Sequence, residues 1–147
     1  MKFNMMIIFS LIVIALLLTL AYVRFAPADI DHLHQDPATT LFSGKPNQYR
    51  TISPSFDLSV TELTQRLDDY AFTQARVQHV AGQVEDHMIT YVQRTAIMGY
   101  PDYITIKAIP AGTKQSQLVI FSRSRFGYSD WGVNKRRVKG WLMGLRR

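Results

Sequence analysis

The chain has no cysteine, which excludes disulfides, thiolate zinc sites and lipobox acylation. It also has no Gly-x-Ser-x-Gly elbow, no phosphate-binding Gly-rich loop and no ligand pair at metal-binding spacing. Acidic residues run out toward the C-terminus: residues 1–122 hold nine Lys/Arg against ten Asp/Glu, whereas residues 123–147 hold eight against one. The net charge of +6 therefore comes from one short stretch. A basic balance points toward an anionic partner. With an apolar N-terminal run in the same chain, a lipid or envelope partner is the better expectation and nucleic acid the weaker one.

At 147 residues there is room for one domain and little more. The apolar share of 47% overstates the core, because much of it lies in that first run. Setting aside residues 1–24 and a polar tether leaves about a hundred residues, able to bury roughly two-thirds of their unfolded surface.

Met5–Val23 is uncharged and apolar apart from Ser10 and Thr19. As a helix it would be about 28 Å long, close to the roughly 30 Å of a bilayer's hydrocarbon, and only a helix satisfies such a segment's peptide groups in lipid. Ala26-Pro27-Ala28 resembles a cleavage site, but the apolar run is longer than a signal peptide's core. The expectation is an uncleaved single-pass anchor, with a cleaved signal peptide and a secreted or periplasmic domain as the alternative. Lys2 precedes the span and Arg24 follows it among Asp29, Asp31 and Asp36. The positive-inside rule then favours a cytoplasmic N-terminus and an extracytoplasmic domain.

Phe25–Ser43 reads as an extended tether, with Pro27 and Pro37 interrupting helix and sheet. Its Asp29, Asp31, His32, His34 and Asp36 carry metal-ligating chemistry. A proline-flanked segment lacks the rigid frame that ligands need, so no metal or other cofactor is expected and a solvated acidic spacer is the simpler reading. Gly44–Leu58 reads as the segment docking this tether onto the domain, residues 44–147.

Ser59 and Glu62 have capping-box spacing, with Leu58 and Leu63 placed to form a hydrophobic staple. The helix they start puts Val60, Leu63, Leu67, Tyr70 and Ala71 on one face, with Thr64 elsewhere, and ends near Phe72. Four strand-like runs follow: Arg76–Ala81, His87–Met98, Tyr103–Ile109 and Gln117–Ser124. Their short breaks require antiparallel neighbours. A last helix is expected from about Trp131 with Asp130 as N-cap, Trp131, Val138, Trp141, Leu142 and Leu145 forming its apolar arc. The fold class is α+β: a two-layer domain with a four-stranded antiparallel meander and two helices, αββββα, after one transmembrane helix.

Candidate functional residues concentrate at the strand–helix corner. Arg123 and Arg125 are two apart on a strand and so share a face, and guanidinium groups near a helix N-terminus suit an anion. Because Asp130 already supplies negative charge at that helix start, its pairing with either arginine, locking the corner, is the preferred reading. Arg123, Arg125, Ser129, Asp130, Asn134 and Arg137 form the candidate ligand-binding set. Lys135, Arg136, Lys139 and Arg146 form a candidate anionic-surface or membrane-proximal set.

The run Arg123-Ser124-Arg125-x-Gly127-Tyr128-Ser129-Asp130-x-Gly132-Val133-Asn134-x-x-Arg137-Val138 closely resembles the signature of the domain-of-unknown-function family DUF1499. Lys45-Pro46-Asn47 with Tyr49-Arg50 resembles that family's Pro-Asn motif, and Gly99-Tyr100-Pro101-Asp102 the break before its later strands. Gln48 stands where a cysteine is common. The resemblance spans roughly residues 44–147 and implies domain identity, without assigning chemistry.

Catalysis by a nucleophile needs a base and an orienting group beside it. Ser122, Ser124 and Ser129 are candidate nucleophiles and Asp130 and Asp102 candidate orienting groups, with Ser129 and Asp130 the preferred hydrolase-type pair; His32, His34, His79 and His87 lie in no catalytic motif. The leading expectation is a membrane-anchored envelope domain acting as a binding or structural module, presenting its cations to an anionic lipid, an envelope polymer or an acidic protein surface. A cytoplasm-facing binder of nucleic acid or another anionic ligand is the remaining class.

Overall fold

The structure is a computed structural model and describes residues 2–146. Its element order is α1 (Lys2–Phe25), α2 (Ile30–Leu33), β1 (Gln48–Ile52), α3 (Val60–Phe72), β2 (Val77–Gln83), β3 (Met88–Arg94), β4 (Pro101–Gly112), β5 (Gln115–Ser124) and α4 (Val133–Leu145), with a 3-10 turn at Val84–Asp86. The sheet has five strands in the order β1-β5-β4-β3-β2, all neighbours antiparallel. The expected four-strand meander is present as β2–β5. The fifth strand is β1, in the segment read as a docking loop, with Gln48 opposite Arg123 and Ile52 opposite Val119. Its alternation is too short and too close to Pro46 and Pro54 to stand out in the sequence, and pairing with β5 creates it.

Helices α3 and α4 cover one face of the sheet. Leu63, Leu67 and Ala71 of α3 and Val138, Trp141 and Leu145 of α4 meet Ile89 and Tyr91 of β3, Ile104, Ile106 and Ala108 of β4, and Leu118 and Ile120 of β5. These strand residues are two apart, as one pleated face demands. Ser59 caps α3 as expected: its hydroxyl accepts from the Glu62 amide at 3.2 Å, while the Glu62 carboxylate accepts from the Ser59 amide at 2.9 Å. The Ser59 hydroxyl donates to the Glu62 carboxylate at 2.7 Å, and that bond, followed by the one from the Ser59 amide, holds the Glu62 carboxyl below its ordinary range. Thr64 is buried, contrary to the wheel, because its hydroxyl donates back to the Val60 carbonyl and leaves only its methyl group to pack. Gly144 lets α4 approach α3: a Cβ there would sit 2.2 Å from the Tyr70 hydroxyl oxygen.

Residues 26–42 cover the opposite face. They were expected as an extended spacer; they form a strap instead, with α2 at its centre. Leu33 packs on Val92 and Tyr103, and its carbonyl accepts from Thr105 Oγ1 at 2.8 Å. His34 Nδ1 lies 2.9 Å from Thr90 Oγ1, and Asp36 pairs with Lys107. Asp29 caps α2 by accepting from the His32 amide. A four-residue helix has no independent stability, so the sheet it lies on holds this one.

Asn4–Phe25 of α1 is long and apolar enough to cross a membrane or serve as a signal sequence. From Asn4 its side chains stand exposed as far as Thr19, Leu20 is half-buried, and Val23 is only 6% exposed. There Tyr22 meets Phe126 edge-on, ring centroids 6.1 Å apart, and the Arg24 side chain covers Gly99.

Candidate functional site

The β5–α4 motif divides according to the strand pleat. Even-numbered residues point toward the helices and odd-numbered ones toward the strap, so the sheet separates Ser122 and Ser124 from Arg123 and Arg125.

On the helix side the hub is Asn134, 1% exposed. Its Oδ1 accepts from Ser122 Oγ at 2.5 Å and from Arg137 Nη1 at 2.6 Å. Its Nδ2 donates to Ser124 Oγ, the Asn47 carbonyl and Asp130 Oδ2 at 3.0, 3.2 and 2.7 Å. Arg137 continues the network to Asp102 Oδ2 at 2.5 Å and Gln93 Oε1 at 2.6 Å, joining β3 and β4 to α4. Every polar group of this knot named here has a partner, which is the condition for burying it.

Asp130 serves α4 from just outside it, accepting from the Gly132 amide at 2.8 Å and the Asn134 amide at 2.7 Å. Helix α4 accordingly begins at Val133, with Gly132 as N-cap at φ 75°, two residues later than expected. Trp131, placed by the wheel on the apolar arc, is 88% exposed. Its φ of 54° belongs to the left-handed turn that admits the Asp130 carboxylate. Ser129 is exposed, and its Oγ accepts from the Trp131 amide at 3.3 Å. Among the described residues no histidine is bonded to it: His34 contacts Thr90, His79 contacts the Gly82 carbonyl, and His87 contacts the Val84 carbonyl.

On the strap side the arginines meet no acid. The expected lock between Arg123 or Arg125 and Asp130 does not form, because the pleat puts them on opposite faces. Arg125 donates to the carbonyls of Ala26 and Pro27 at 2.8 and 2.6 Å. Arg123 Nη2 donates to the Leu33 carbonyl at 2.5 Å, and Arg50 of β1 donates to the Thr40 carbonyl. Arg123 and Arg50 both stack on the Phe121 ring, 4.5 and 5.0 Å from its centroid. The ion pairs among the described residues are Lys107–Asp36 and Arg137–Asp102, so none involves these three arginines.

Arg123 is 8% exposed, and its Nη1 is buried with no partner, as is Arg50 Nε. Burial, followed by the nearby charge of Arg50, pulls the Arg123 guanidinium down to about 10. Two recesses reach it, and His32 lines both. One, of about 330 Å³, is lined by Gln35, Thr40, Leu41, Gln48 and Phe121. The other, of about 260 Å³, is lined by Lys45, Asn47, Tyr103, Arg125 and Gly127. Sequence reasoning missed Arg50, Lys45 and Asn47 as neighbours of Arg123, because only the β1–β5 pairing brings residues 45–50 beside it.

The candidate cations therefore form three groups. Arg123 and Arg125 lie under the strap. Asn134, Asp130 and Arg137 belong to the helix-side knot. Lys135, Arg136, Lys139 and Arg146 stand exposed on the outer face of α4, with Lys135 6.0 Å from the Tyr49 ring and Arg146 5.8 Å from the Phe56 ring. A groove of about 510 Å³ between the helices and β3 adds Arg76 and Arg94 beside Arg136 and Arg137.

Among solved structures, the chain is similar to the di-domain ARO/CYC BexL from the BE-7585A biosynthetic pathway, at 11% identity and a TM-score of 0.49 over 67% of this chain and 44% of that one. The chain thus spans less than half the length of that protein. It is also similar to TTHA0849 from Thermus thermophilus, at 12% identity and a TM-score of 0.33, over 65% of this chain and 86% of that one. No curated protein matches it. Residues 31–145, from the middle of the strap to the last residue of α4, match the family described as Protein of unknown function (DUF1499), and the chain belongs to that family.

Proposed function

We propose that this protein is a single-pass membrane protein whose extracytoplasmic domain is a binding module, held against the bilayer and offering cations to an anionic partner. The observation that carries the reading is the burial of Val23: the last turn of the apolar helix is built into the domain. Val23 lines one recess with Thr95, Tyr100, Phe126 and Trp131. A signal peptide released after Ala28 would strip that recess of a wall, so an uncleaved anchor fits the packing better.

Around this junction stand Tyr22, Phe25, Ile97, Tyr128 and Trp131, all exposed. Tyrosine and tryptophan favour the headgroup level of a bilayer, where one end of the ring is apolar and the other wet. The loops between β3 and β4 and between β5 and α4 then sit in the interface. The outer face of α4 runs away from it, so Lys135 and Arg136 lie nearest the headgroups and Arg146 about 15 Å beyond Arg136 along the helix axis. With a Debye length of about 8 Å, the far end of α4 gains little from the membrane's charge. An envelope polymer or acidic protein suits that part of the basic face better.

The test uses the full chain in phosphatidylcholine nanodiscs. There are two tryptophans, and Trp141 is buried between α3, α4 and the sheet, so Trp141→Phe leaves Trp131 as the sole reporter. Brominated lipids are expected to quench its emission strongly. Unquenched emission from chain that still co-elutes with the discs would refute the interfacial placement, and a mature protein lacking residues 1–28 by intact mass would refute the anchor.

A further inference from the structure

We propose that the strap-covered face of the sheet is an oxyanion site, with Arg123 as the central donor, Arg50 as the second, and a phosphate monoester as the ligand class. This rests on reading the domain as a binding module and names the place and chemistry of the binding.

An arginine buried without a carboxylate is costly, because its hydration is lost and no charge replaces it. Arg123 is in that position, with Arg50 beside it adding repulsion. Stacking on Phe121 offsets part of the cost, and so does the Leu33 carbonyl, but a neutral carbonyl accepts more weakly than an anion. Arg123 Nη1 and Arg50 Nε are buried donors with nothing to donate to. Packing does not require an arginine here: the Leu33 carbonyl keeps the Thr105 hydroxyl as a second donor, and the ring of Phe121 accepts any apolar neighbour. Lys45 and Arg125 on the rim of the adjoining recess add positive charge around the same point, while Asp36 of the strap is already paired with Lys107.

The ligand must present several acceptor oxygens and a charge near −2 to satisfy two guanidinium groups at once. A phosphate monoester does so; a single carboxylate supplies half the charge. Each strap arginine is bonded to a strap carbonyl, so those carbonyls occupy the donors until an anion displaces them. Arg123 Nη1 is closed to solvent, so the strap has to shift for an anion to reach it.

The experiment titrates inorganic phosphate into the full chain in phosphatidylcholine nanodiscs, followed by calorimetry and by the shift in Tm. Saturable binding and a raised Tm are expected. Arg50→Gln, at a half-buried position, is expected to weaken binding at least tenfold, and Arg123→Met to abolish it. Arg94→Gln in the helix-side groove is expected to leave it unchanged. Discs containing phosphatidic acid distinguish the source: if they lower the apparent phosphate affinity in the wild type and not in Arg50→Gln, the monoester is a lipid headgroup, and otherwise it is a soluble one. Absence of phosphate binding, equal binding by Arg50→Gln, or loss on Arg94→Gln overturns the proposal. Should Arg123→Met fail to fold, Arg50→Gln still decides. Chain that binds phosphate but leaves the discs defeats the membrane reading alone; chain that stays in the discs and ignores phosphate defeats the site alone.

Discussion

The two faces of the sheet handle buried charge in opposite ways. Under the helices, Arg137 meets Asp102 and Asn134 in a network whose donors and acceptors are matched. Under the strap, Arg50, Arg123 and Arg125 hydrogen-bond only to backbone carbonyls, and two of them retain donors with no partner. Both faces are built from the same strands, and in β5 they alternate residue by residue. The difference lies in what covers them. Two helices with apolar faces cover one side. The other is closed by a strap of some seventeen residues, counting 26–42, that carries one short helix and a few side-chain ties. Paired charge lies under the helices, and unpartnered donors lie under the strap.

Three substitutions sharpen this contrast, in descending order of effect. Asp102→Ala removes the acid from the helix-side knot and leaves the Arg137 guanidinium buried and unpaired, at an expected cost of about 3–5 kcal/mol. Urea unfolding followed through Trp141 measures it, and a loss under about 1 kcal/mol would mean that the knot is slack.

On the strap side the effects are smaller. Partial burial opposes ionisation of Asp36, but the hydrogen bond from Lys107, the Ala38 amide and the charge of Lys107 outweigh it and hold the carboxyl below its ordinary value. A folded-state value below the unfolded one adds stability that is present above about pH 4 and lost as the pH falls through the folded value. The pair is a third exposed, so the amount is under about 1 kcal/mol. Hydrogen exchange over residues 33–42 is expected to quicken as the pH falls below about 4, after correction for intrinsic rates, and Asp36→Asn is expected to show the faster exchange already at neutral pH. A strap equally protected in both would contradict the ion pair's role.

The smallest expected change is the most diagnostic. Arg123→Met should leave stability within about 0.5 kcal/mol of wild type, or raise it, since it removes an uncompensated buried charge while keeping a side chain of similar reach. A loss above about 2 kcal/mol in the same urea assay would make Arg123 a structural clamp like Arg137.

Much of the fold is legible in the chain. The capping box at Ser59 and Glu62, the apolar spacing of α3, the alternation of Ile104, Ile106 and Ala108, and the uncharged run of α1 are local patterns with a direct physical meaning. The shared face of Arg123 and Arg125 also follows from strand geometry. What fails to show is whatever depends on a partner distant in sequence. Residues 48–52 become a strand because β5 offers an edge. Leu33, Thr40 and Asp36 acquire their roles because Thr105, Arg50 and Lys107 lie opposite them. Trp131 leaves its expected arc because Asp130 reaches two amides only if the chain turns left-handed between them.

The sequence by itself determined the elements and their polarity: an apolar helix, a capped amphipathic one, alternating strands and a basic C-terminal end. Only the tertiary structure decided which cations receive counter-charges, because strand pleat and sheet order assign neighbours that spacing along the chain does not reveal. It set Arg137 against an aspartate and Arg123, fourteen residues earlier, against a neutral carbonyl.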